Sequence, residues 1–155
     1  MDFTQTYRAH YPDVLAFLRR RVPDGQAEEL AADVFARAWR NFDTLQGTPL
    51  PWLYGIARNV MREFYRSAAP RMHNVDDYDP ARADFAASVD LSLDINRALL
   101  TLSDADRDIL TLHAWEGLTP AELAETLDIS PGNVRVRLHR ARTHLAAALE
   151  KQEQS

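Results

Sequence analysis

The sequence has no cysteine, which removes disulfides, thiolate nucleophiles and Cys-ligated zinc. Glycine occurs only 5 times in 155 residues, and runs of β-branched residues are missing, so little here favours hairpins or sheets. No apolar run approaches the length of a bilayer span. Met1-Asp2-Phe3-Thr4 puts no basic stretch ahead of an apolar one, so no signal peptide and no membrane insertion are expected. The expectation is a soluble protein of the cytoplasm. An excess of positive charge is lacking too. The formal net charge is −5, which argues against a surface that attracts nucleic acid all over.

What is present is helix-forming material. Ala, Leu and Arg recur, and 46% of residues are apolar, enough for real cores. The pattern predicts an all-α fold of two small helical domains joined by a flexible acidic linker. Residues 1–67 carry helical periodicity, broken at Pro23-Asp24-Gly25 and Gly47-Thr48-Pro49. Residues 68–90 lose it and hold Pro70, Pro80 and a series of acids, Asp76, Asp77, Asp79, Asp84 and Asp90. Periodicity returns over 91–152.

The second half punctuates itself. Ser103 with Asp106 starts a helix that runs through Trp115 and stops near Gly117. Thr119-Pro120-Ala121-Glu122 is a capping box with proline at the first helical position, and its helix ends around Leu127. Asp128-Ile129 makes a turn, and Ser130-Pro131 opens a longer helix. Helix, tight turn, longer helix is the helix-turn-helix plan. Between Ile129 and Leu149 the only charged side chains are Arg135, Arg137, Arg140 and Arg142, with His139 and His144 among them. At about 100° per residue, Val134, Leu138, Ala141 and Leu145 fall inward, while Gly132, Val136, His139, Arg140 and Thr143 point outward with Arg135 and Arg142 at an edge. Such a helix start enters the major groove, where arginine grips guanine or neutralises phosphate. The plainer reading is a solvated basic face.

In the first half, Pro51–Arg66 places Trp52, Leu53, Ile56, Ala57, Val60 and Phe64 on one arc and Gly55, Arg58, Asn59, Arg62 and Arg66 on the other. The loop Leu45 to Leu50 precedes it, and Tyr54 and Tyr65 flank the basic arc, where they are expected to offer stacking surfaces for bases. The helix from Ala27 to Asn41 is expected to bury Leu30, Val34, Phe35, Ala38 and Trp39. Its outer strip holds Glu29, Asp33, Arg37 and Arg40 around Ala32 and Ala36. Asp33 and Arg37 are ordinary i,i+4 support, and the strip also suits a partner helix.

Trp52-Leu53-Tyr54-Gly55-Ile56-Ala57-Arg58-Asn59 resembles the promoter-melting part of region 2 in extracytoplasmic-function sigma factors of the sigma-70 family. Ala27 to Leu30, Asp33-Val34-Phe35 and Ala38-Trp39-Arg40 look like the polymerase-binding part of that region. Glu116 to Ala124 and Val134 to Arg142 are similar to region 4. The resemblance implies a non-enzymatic subunit, without cofactor or metal, that binds core RNA polymerase and directs it to promoter DNA. It implies that Glu29, Asp33, Arg37 and Arg40 face the clamp helices of the largest polymerase subunit. Asn59, with Gln46 in the preceding loop, would hold a flipped −10 base, and Arg58, Arg62 and Arg66 would follow the strand. Arg135, Val136, His139 and Arg140, beside Asn133 and Arg137, would read the −35 element, while the apolar side of region 4 meets the flap of the second-largest subunit. An anti-sigma factor is the expected restraint. The chain departs from the family in Ala32, where glutamine is frequent, in the early Ser67-Ala68-Ala69-Pro70, and in Val136, where a small polar residue is frequent.

Two other readings stand beside this one. A two-component output domain shares the helix-turn-helix but would leave residues 1–67 as a sensing or dimerising module. An enzyme would need His73, Asp76, Asp77 and Asp79 as a metal cluster, yet Pro80 stands where a calcium loop needs a turn.

Overall fold

The computed structural model describes residues 2–68 and 94–154, with the side chain of Ala68 set aside. All regular structure among the described residues is helical. The helices are α1 (Phe3–Arg19), α2 (Ala27–Arg40), α3 (Pro49–Ala68), α4 (Asp94–Leu100), α5 (Asp104–Ala114), α6 (Pro120–Leu127) and α7 (Pro131–Gln154), with a short 3-10 turn at Phe42–Thr44. The chain forms two compact units, Met1–Ser88 and Val89–Ser155. Most of the segment read as an acidic linker, including the His73–Asp79 cluster, lies outside the described residues.

In the first unit α1, α2 and α3 pack against one another. The backbone amide of Gln5 donates to Asp2 Oδ1 (2.8 Å) and Gln5 Oε1 accepts from the Asp2 amide, so α1 begins on a reciprocal cap. Val14, Phe17 and Leu18 of α1 meet Ala31, Val34 and Ala38 of α2 and Leu53, Ala57 and Val60 of α3 in a core without solvent access. Aromatic rings close one end, where Phe42 meets Phe3 (5.8 Å) and Trp52 (6.3 Å) edge-on.

In the second unit α7 packs against α4, α5 and α6. Ser103 Oγ accepts from the Asp106 amide, as its sequence predicts, and α5 stops at Trp115. Gly117 then takes φ +71°, a conformation that other residues adopt only with strain. The Thr119–Glu122 capping box forms in both directions, at 3.2 and 2.9 Å. After α6 the chain turns on Asp128, at φ +55°, and aspartate is among the few residues that tolerate this region. Leu112, Leu123, Val134, Leu138 and Ala141 make the core. By the usual cost of emptying a buried leucine site, Leu138→Ala would destabilise the unit by about 2–5 kcal/mol.

Candidate nucleic-acid and polymerase interfaces

The longest helix is built to present one face. Ser130 Oγ accepts from the Asn133 amide (3.1 Å), starting α7 immediately after the turn. Val134, Leu138 and Ala141 are buried and fix its rotation. Asn133, Arg135, Val136, Arg137, His139 and Arg140 are consequently all exposed, as the periodicity requires. No ion pair or hydrogen bond engages the side chains of Arg135, Arg137, Arg140 or Arg142 among the described residues. Arg107 on α5 is the contrast. It is buried and held by Asp104 (2.5 Å) and the Leu102 carbonyl (3.4 Å). The guanidinium groups of α7 thus stand open to solvent. His144 leaves this set, because its Nδ1 meets Asp106 Oδ2 at 2.6 Å and ties α7 to α5.

On α3 the polar arc is where the sequence puts it. Asn59, Arg62 and Arg66 are exposed, Arg58 is half-buried, and Gln46 is exposed in the loop before the helix. The two tyrosines are a correction. Tyr54 and Tyr65 are 3% and 4% exposed, so neither offers a ring for a base. Tyr54 packs on Phe17 (5.4 Å), and the Tyr65 hydroxyl donates to the Arg21 carbonyl. The buried arc of α3 thus extends to Tyr54, Met61 and Tyr65. Trp52 and Ile56, expected at its centre, are half-buried.

On α2 the outer strip is more engaged than its pattern indicates. Glu29 and Arg40 are exposed, Asp33 and Arg37 half-buried. Arg37 Nε donates to Asp33 (3.3 Å), and Nη2 reaches Glu63 Oε2 on α3 at 2.5 Å. The hydrogen bond from Arg37 holds the Glu63 carboxyl below its ordinary range, and the same contact raises Arg37. The Arg37–Glu63 ion pair therefore joins the strip to α3, a link that no spacing in the sequence announces. Arg19 and Glu28 join α1 to α2 likewise (2.7 Å). Trp39 is a second correction. Expected inside, it is 67% exposed, while Ala27 and Ala31 fill the inner face and Leu30 is half-buried.

With these faces placed, comparison with known proteins is informative. The family description "Sigma-70 region 2" matches residues 6–71, and "Sigma-70, region 4" matches residues 92–145. The ECF RNA polymerase sigma factor SigL of Mycobacterium tuberculosis is 31% identical over 136 residues, spanning 81% of this chain and 76% of that protein. The chain belongs to the extracytoplasmic-function sigma factors. RNA polymerase sigma factor YlaC of Bacillus subtilis is similar over more of its length, 29% identical across 94% of this chain and 90% of the relative. Among solved structures, CnrH in complex with the cytosolic domain of CnrY has a TM-score of 0.66 at 27% identity, covering 96% of this chain and 88% of that one.

A sigma factor is an initiation factor and not an enzyme. It binds core RNA polymerase and confers promoter-specific initiation. A two-component output domain does not account for the region 2 match over residues 6–71. No described helix is long and apolar enough to cross a membrane. The described residues contain no cluster of His, Asp and Glu suited to a metal ion.

Proposed function

We propose how this sigma factor divides its work. Residues 1–67 act as region 2, residues 68–90 connect, and residues 91–152 act as region 4. In region 4 the exposed row Asn133, Arg135, Val136, Arg137, His139 and Arg140 enters the major groove of the −35 element. The observation that carries this is electrostatic: exposed arginines without acidic partners among the described residues, on a helix start capped by Ser130 and anchored by buried Val134. In an acidic protein, such a row supplies local attraction for phosphate and donors for guanine, while the whole chain binds DNA weakly without polymerase.

In region 2, Asn59 and Gln46 receive an unstacked −10 base, and Arg58, Arg62 and Arg66 follow the strand. Glu29, Asp33, Arg37 and Arg40 form the face toward the clamp helices. Within that face Arg37 orders the strip through Asp33 and Glu63, and exposed Trp39 beside Ala36 and Arg40 adds apolar area at the same surface. The apolar side of region 4 meets the flap. The protein works in the cytoplasm, where its polymerase is. Restraint by an anti-sigma factor fits as well, since CnrH is found in complex with a second protein.

The test is transcription in vitro with core polymerase and a promoter library randomised over −10 and −35. Recovery of two short elements at fixed spacing, dependent on both polymerase and this chain, is the expected result. Binding of a duplex without polymerase, at equal affinity and specificity, would contradict it.

A further inference from the structure

Val136 differs in kind from its neighbours. It is 49% exposed, yet it stands among exposed Arg135, Arg137, His139 and Arg140. Buried Val134 and Leu138 lie two residues to either side, which puts Val136 about 160° from each at 100° per residue. It is therefore on the outermost ridge of α7. Helical side chains lean toward the N-terminus, so its methyl groups lie over the turn that contains Gly132. A Cβ built on Gly132 would meet nothing within 4 Å, so that turn is an open shelf. The N-terminal part of a recognition helix is the part that reaches base edges. An isopropyl group there makes no hydrogen bond. The one apolar feature the major groove displays is the 5-methyl group of thymine.

We propose that Val136 selects a thymine of the −35 element by packing against its 5-methyl group, next to contacts made by Arg135 and Arg140. A lone exposed valine is ordinary on a protein surface. This one occupies the ridge of the face that carries the arginines, above a shelf kept clear by glycine. The proposal rests on the −35 reading of α7 and goes beyond it by naming the base and the group on it.

The experiment uses holoenzyme assembled from core polymerase and the full chain. The probe is the strongest promoter duplex from a library randomised over −35. Each thymine of that element, in either strand, is replaced in turn by deoxyuridine, which removes the methyl group and leaves every hydrogen-bonding group in place. At one position the wild-type holoenzyme should lose about threefold to fourfold in competition binding, the effect of one buried methyl group. Holoenzyme with Val136→Ser should bind the thymine and uracil duplexes equally, and its far-ultraviolet circular dichroism should match wild type because the site is exposed. Indifference of the wild type to every uracil, or an equal loss in Val136→Ser, would overturn the proposal. A selected element without any A·T pair would overturn it as well. If the library yields no −35 preference, base reading by α7 itself fails, an outcome distinct from a preference that ignores the methyl group.

Discussion

Replacing Arg37 with glutamate reverses one end of the clasp between α2 and α3. Two ion pairs are lost, at 2.5 Å to Glu63 and 3.3 Å to Asp33, and both carboxylates then face a third. The side chains of Arg37 and Glu63 are 31% and 49% exposed, so water and salt screen the pair. Screening keeps a pair this exposed weak, and like charges at i,i+4 add a small repulsion of their own. The variant should therefore melt a few degrees below wild type, a shift that a unit of this size makes readable. Combining Arg37→Glu with Glu63→Arg rebuilds the cross-helix pair and leaves only the repulsion with Asp33, so about half the loss should return. Thermal unfolding of the full chain, followed by circular dichroism, measures both variants. A double variant that melts no higher than the single one would refute the clasp. Glu63 titrates below its ordinary 4.5 because Arg37 donates to it. The stabilisation is therefore complete above about 4.5, declines as pH falls and is lost below the lowered folded value.

Tyr65→Phe removes a buried donor and leaves the Arg21 carbonyl without it, so Tm should fall by the equivalent of about 1–3 kcal/mol, while transcription below the melting temperature is unchanged; loss of promoter melting without loss of Tm would return Tyr65 to the DNA. Asn59→Ala, at an exposed site, should leave Tm unchanged and reduce open complexes on duplex promoters, read by permanganate footprinting; an unaltered −10 preference would make Asn59 only a solvated residue. Trp39→Ala should weaken core binding, measured by co-elution with polymerase, without lowering Tm, because the ring is already in water; a large drop in Tm would place it in the core.

Local chemistry made region 4 legible. Capping residues act on amides three positions away, so Ser103, Thr119 and Ser130 declare their helix starts in the sequence, and Val134, Leu138 and Ala141 then set the rotation of α7. Region 2 was legible in its elements and less so in its flanks. Tyr54, Tyr65 and Trp39 all sit at the margins of an apolar arc. Periodicity leaves the inside and outside of such margins undecided, and the decision falls to helices distant in sequence. Phe17 of α1 covers Tyr54 and the Arg21 carbonyl, just beyond that helix, holds Tyr65, while nothing among the described residues buries Trp39. The Arg37–Glu63 pair was illegible for the same reason, because it joins residues 26 positions apart on different helices.

The central claim is that α7 reads bases and does not merely supply charge. It is tested most directly by transcription from promoters substituted at each −35 position, with wild-type, Arg135→Ala, Arg140→Ala and Arg142→Ala holoenzymes compared. An arginine bidentate to guanine is worth about 1–3 kcal/mol of discrimination, roughly fivefold to more than a hundredfold. At least one of Arg135→Ala and Arg140→Ala should therefore lose preference at one position, while Arg142→Ala, farther along the helix, loses less and keeps wild-type preference. Equal losses for all three at every sequence would contradict the account.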